Sequence, residues 1–209
     1  KTEENYRQTN QCTVDMEETV PKELYSSVSV DSYRESYRMV DYLCTKGYRK
    51  IAILAGSKGD ESVGRLRLNG YRDALAAHQI PMEEKRILYS QDWAEDVFSM
   101  ENGYRMAKKL IESEVDFDCV YAVADSIAIG ACRALLQSGL KIPEQCGLAG
   151  FDGLDETKYY YPSITTMRQP VKEMAEEAVR MLFSMLHKGA PNQHSIFPGE
   201  LTERESTMK

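Results

Sequence analysis

Apolar residues along the chain follow two rhythms: short continuous runs, and longer stretches in which they recur at helical spacing. The runs Lys50–Ala55, Arg86–Tyr89, CVYAV from Cys119 and CGLAGF from Cys146 predict strands, CVYAV a buried one, and Ser27–Val30 reads as a strand or crossover. Between them the period changes. Tyr33, Tyr37, Val40 and Leu43 share one helical face, closed by Gly47. Leu68, Tyr71, Leu75 and Ala76 do so within Arg65–His78, and Tyr104, Ala107, Leu110 and Ile111 within Ser99–Glu112. A further helix follows CVYAV, from Ile127 to Leu136, with Gly139 at its end. Pro170 suits the first turn of a last helix, which carries Val171, Met174, Ala178, Leu182, Met185 and Leu186 to Gly189. Gln11–Val14 is a candidate short strand, Ser163–Gln169 reads as extended, and SIFPG running into ELTERES predicts a final strand. Regular alternation with short connections gives an α/β protein with parallel sheets and helices on both faces.

The stretch Cys119–Thr166 is the most complete strand–helix–strand unit. Asp125 stands where an N-cap belongs, directly after one strand, and Asp152 directly follows the next. Open α/β sheets bind ligands at the carboxyl ends of parallel strands, so the two carboxylates mark a candidate binding rim. An acid–base pair is the catalytic alternative for them, and a helix cap is the structural one for Asp125. Arg67, near the start of a helix beyond a strand's carboxyl edge, offers a rigid fork of donors. Trp93, the one tryptophan, lies in a polar loop, as an aromatic that stacks on a sugar's C–H face would.

Composition narrows the function classes. The net charge of −7 and the absence of a basic stripe exclude duplex binding by these residues alone. His78, His187 and His194 lack ligand-spaced partners, which argues against a metal site, and no cofactor loop of the GxGxxG or GKS/T type is present. No nucleophile elbow supports a hydrolase, and no catalytic residue is assigned. Cys12, Cys44, Cys119, Cys132 and Cys146 form no CxxC pair and read as reduced residues, which predicts a cytoplasmic location. No run is long enough to span a membrane. Met174, Met181 and Met185 fit either a core or a contact with a second copy.

AVADSIAIGACRALLQSGLKIPEQCGLAGFDG, YYPSITTMRQPVKEMAEEAVRMLF and ELTERES, with KGYRKIAILAG and SVGRLRLNGYRDAL, resemble the effector-binding domain of the lactose/galactose-repressor (LacI/GalR) family of bacterial transcription regulators. The resemblance runs from about Ser27 to Thr207. It implies a type I periplasmic-binding-protein-like fold of two lobes around a cleft, with the carboxyl-terminal lobe nearly complete and the amino-terminal lobe partial. The expected division is 1–30 as a remnant of the amino-terminal lobe and 31–165 as the carboxyl-terminal lobe. Residues 166–190 would be the crossover and helix of the amino-terminal lobe, and 191–209 the last carboxyl-terminal-lobe strand and tail. The resemblance places Arg67, Trp93, Asp125, Ser126, Phe151, Asp152 and Gln169 at the effector site, with Ala124 replacing a polar residue common in the family. It also implies a small effector such as a sugar, a homodimer, and operator contact through a helix-turn-helix outside this chain. A solute-binding protein of a sugar transporter is the alternative function.

Overall fold

The structure, a computed structural model, describes residues 14–16, 25–59, 63–90 and 96–208. It divides into two compact units.

The larger unit comprises Ser32–Gln169 and Gly199–Lys209. Its elements are α1 (Ser32–Thr45), β3 (Ile51–Ser57), α2 (Val63–Ala77), β4 (Ile87–Ser90), α3 (Met100–Glu112), β5 (Cys119–Ala122), α4 (Asp125–Gln137), β6 (Gly147–Asp152), β7 (Thr165–Arg168) and β9 (Glu200–Thr202). The sheet order is β4-β3-β5-β6-β7-β9. Its first five strands are parallel, and β9 closes the edge antiparallel to β7. The central strands β5 and β6 are buried almost throughout, because helices cover the sheet. Those helices pack as two pairs, α1 with α2 and α3 with α4. Such crossovers bring the chain back to the same sheet edge after every helix, so the starts of α2 and α4 and the end of β6 gather there.

The tail fastens this unit with polar contacts instead of apolar ones. Ser206 accepts from the Thr165 N–H at 2.8 Å and donates to the Leu148 carbonyl at 2.6 Å. The Thr207 hydroxyl lies 2.7 Å from that of Thr165 and 2.8 Å from that of Tyr42. Ser206 and Thr207 are buried, and buried hydroxyls need such partners.

The smaller unit comprises the chain up to Asp31 and Pro170–Pro198. Strands β1 (Val14–Asp15), β2 (Ser26–Val30) and β8 (His194–Phe197) form a parallel sheet in the order β1-β2-β8. Helix α5 (Val171–Lys188) buries Met174 and Met181 and leaves Val171, Val179, Phe183 and Leu186 exposed. Met185 accepts from the Ser26 hydroxyl at 3.2 Å. Met174 and Met181 are thus core residues of this unit, and Met185 is half-buried.

Two expectations change. The single final strand is two strands in different sheets: β8 pairs with β2, and β9 pairs with β7. Pro198–Gly199 separates them, and a proline cannot donate to a ladder. Residues 165–168, expected from position 166 onward to be crossover, are instead strand β7, in register with Ala149–Asp152. Of the candidate strand Gln11–Val14 only Val14 lies within the described residues. Cys44, Cys119, Cys132 and Cys146 are free and buried, and Cys12 lies outside the described residues. No helix among the described residues is long and apolar enough to cross a membrane.

Candidate effector site

The site belongs to the larger unit alone. Arg67 enters it from the first turns of α2, only 5% exposed. Its guanidinium lies 3.7 Å from the ring centroid of Phe151, itself fully buried in β6. A flat, weakly hydrated cation tolerates such a face better than an ammonium would. Nη1 donates to the Val123 carbonyl at 2.6 Å and to Asp152 Oδ1 at 3.4 Å. Nε is buried and has no partner among the described residues. A buried donor left unpaired is a standing cost of about 1–3 kcal/mol, and it is removed by a ligand that accepts there.

Asp152 ends β6, with its side chain 29% exposed. Its carboxylate accepts from Arg67 and, at 2.8 Å, from the Gln169 side-chain amide. Burial raises its pKa, while Arg67 and Gln169 pull the other way. The backbone here is unusual: φ is +117° at Asp152 and +83° at Gly153. A Cβ on Gly153 would come within 2.5 Å of Arg168 Cγ, so glycine is needed for space as well as for φ.

Asp125 departs from its expected role. The N-cap of α4 is Ala124, which makes no side-chain cap bond, and Asp125 is the first helical residue. Its carboxylate reaches across to β6 and β7 instead. Oδ2 accepts from the N–H groups of Gly153 (2.8 Å) and Leu154 (2.7 Å), and Oδ1 accepts from the Thr166 hydroxyl (2.7 Å). Asp125 is wholly buried, and burial pushes its pKa up to about 7 against these donors. Gly150 makes room for it, since a Cβ there would lie 2.2 Å from Oδ1. A carboxylate so sealed has no access to a substrate proton, which removes the acid–base pairing with Asp152.

Ser126, half-buried at the start of α4, donates to the Phe98 carbonyl in the segment between β4 and α3. Gln169 joins the site through both its side chain and its N–H, which donates to the Asp152 carbonyl at 3.0 Å. Trp93 lies outside the described residues. Arg67, Phe151, Asp152 and Gln169 therefore contact one another, Asp125 holds the corner after Asp152, and Ser126 is bonded instead to Phe98. Thr166, Gly150 and Gly153 were missed as site residues. The Gly-Phe-Asp-Gly run at the strand's end was the available signal for the two glycines. Among the described residues no group of three or more His, Cys, Asp or Glu could hold a metal ion.

A buried arginine stacked under a strand-end aromatic, facing an aspartate at the carboxyl edge of a parallel sheet, defines a binding domain of the α/β periplasmic type. The chain matches the periplasmic binding protein-like domain model over residues 40–207. It is 36% identical over 185 residues to the HTH-type transcriptional regulator MalR of Clostridium butyricum, covering 88% of this chain and 53% of that protein. The crystal structure of the Escherichia coli transcriptional repressor AscG aligns with a TM-score of 0.81 and 31% identity, over 97% of this chain and 72% of that one. A CelR–cellobiose complex aligns with a TM-score of 0.82 and 27% identity, over 92% of this chain and 57% of that one. The chain belongs to the periplasmic binding protein-like domain family and closely resembles the effector-binding domains of LacI/GalR-family regulators. It spans about half the length of the curated relatives it matches.

Proposed function

We propose that this chain is the effector-sensing and dimerising part of a DNA-binding transcriptional regulator of the cytoplasm, not an enzyme, and that its effector is a small neutral sugar. The observation that carries the reading is Arg67, buried against Phe151 with an Nε that has no partner among the described residues, beside the part-exposed Asp152. Asp152 accepts hydrogen bonds from hydroxyls, Arg67 and Gln169 donate to hydroxyl oxygens, and Trp93 is the aromatic proposed to stack on the ring. The charges of Arg67 and Asp152 already balance, so a neutral polyol fits better than a carboxylate or phosphate ester. The cellobiose in the CelR complex supports a sugar as the ligand class.

The net charge of −7 leaves operator contact to a helix-turn-helix in the remainder of the regulator. A homodimer is supported by the apolar surface over α3 and α4, where Met100, Tyr104, Leu136 and Tyr160 line a depression of about 650 Å³. Tyr159 and Tyr161 beside Tyr160 are 86% and 87% exposed.

Thermal-shift screening of the full regulator against neutral mono- and disaccharides, cellobiose first, tests the function. A neutral sugar raises the transition by mass action, and the rise disappears in Asp152→Ala and shrinks in Trp93→Ala. A transition that responds only to phosphorylated or carboxylated sugars, or to no sugar at all, overturns the reading.

A further inference from the structure

We propose that Asp125 is a positioning residue, which fixes the Asp152–Leu154 corner and so sets the direction of the Asp152 carboxylate. The proposal rests on the reading of Asp152 as the carboxylate that meets the effector.

The corner does not hold itself. Asp152 and Gly153 have consecutive positive φ angles of +117° and +83°. A non-glycine residue in such a conformation is strained and persists only where its surroundings over-determine it. The surroundings here act on both sides of the corner. On one side Gln169 takes the Asp152 carbonyl with its N–H at 3.0 Å and the carboxylate with its amide at 2.8 Å. On the other, a single Asp125 oxygen gathers the two successive N–H groups of Gly153 and Leu154. Thr166 links the halves, donating to Asp125 Oδ1 and accepting from the Gly153 N–H at 3.2 Å. A relaxed corner would swing the Asp152 side chain away from Arg67, because consecutive residues of an extended strand point to opposite faces.

The essential property is an acceptor at Oδ2, not the negative charge. A proton on Oδ1 can be donated to Thr166 once that hydroxyl reverses, and both amides stay bound to Oδ2. Asparagine reproduces this arrangement, with its oxygen toward the amides and its NH₂ toward Thr166. Alanine removes it.

Residue-resolved amide exchange of the intact chain, read at Gly153 and Leu154 and normalised to intrinsic rates, tests the proposal without any ligand. Loss of the acceptor shared by the two amides predicts exchange at least about 10-fold faster in Asp125→Ala, with rates in Asp125→Asn within about threefold of wild type. Sugar affinity follows the same order, lost in Asp125→Ala and restored in Asp125→Asn. Unchanged exchange in Asp125→Ala, or exchange in Asp125→Asn as fast as in Asp125→Ala, overturns the proposal. Should Asp125→Ala fail to fold, wild-type protein decides alone: Gly153 and Leu154 amides exchanging at unstructured-peptide rates contradict the clamp. The effector reading fails separately, when Asp152→Asn binds sugar like wild type, and that outcome leaves the exchange result standing.

Discussion

Asp125 and Asp152 occupy equivalent places in the chain, each at a strand's carboxyl end, yet the fold gives them opposite surroundings. Asp125 is sealed, and all its partners are neutral donors from β7 and the corner after β6. Asp152 is part-exposed, faces a cation and carries backbone strain. The difference teaches that a carboxylate at a sheet's ligand-binding edge becomes a contact or a support according to how many protein donors already fill it. A saturated carboxylate has little left to offer a ligand, whereas the Asp152 side chain is part-exposed.

Gly150→Ala is the hardest blow to the sealed side. The added methyl would lie 2.2 Å from Asp125 Oδ1 and force the carboxylate from its three donors. Chemical denaturation should find the larger unit destabilised by about 3–4 kcal/mol, in line with disruption of a buried polar network. A loss below about 1 kcal/mol, within the range of an ordinary surface substitution, would mean that Asp125 moves freely and is no clamp.

Acidity separates the two sides next. Asp125 has its pKa raised from 3.8 to about 7, so between those values the folded state holds more protons than the unfolded one. Stability therefore falls as pH rises through this window. Asp152 is raised as well and adds in the same direction. Urea midpoints should be higher at pH 5 than at pH 8, by the equivalent of about 2 kcal/mol. Asp125→Asn, which cannot ionise, should remove most of that difference. A wild-type midpoint that rises from pH 5 to pH 8 would contradict the burial assigned to Asp125. The groups facing it include Asp152 and, from the tail, Arg204, whose charge opposes the shift.

The smallest expected effect concerns the strained side. Asp152→Gly relieves the positive φ and loses the contacts to Arg67 and Gln169. These terms offset, and stability should stay within about 1 kcal/mol of wild type while sugar binding is abolished. Strain retained with no stability benefit is what a binding residue looks like.

Much of this was legible in the sequence. The change of period from strand runs to helical faces identified the elements of the larger sheet apart from the extent of β7, part of which was expected to be crossover, and the division at Pro198–Gly199. That division depends on which sheet each half joins, and pairing between distant strands leaves no local trace. That Arg67, Phe151, Asp152 and Gln169 lie together was legible because their chain positions bring them to one sheet edge. The role of Asp125 could not be read the same way. Its N-cap reading was locally sound, but Thr166 lies 41 positions along the chain, and only β6–β7 pairing brings its hydroxyl to 2.7 Å. The Ser126 hydroxyl's bond to the Phe98 carbonyl, 28 positions away, was likewise not legible in the sequence.

The contrast between the two carboxylates is tested most directly by calorimetric titration of Asp152→Asn and Asp125→Asn side by side, with the sugar that the thermal screen selects. Asp152→Asn removes a charged acceptor from the ligand and should weaken binding at least about 30-fold, whereas Asp125→Asn should stay within about threefold of wild type. Equal losses in both variants, or the larger loss in Asp125→Asn, would contradict the assignment of contact to one and support to the other.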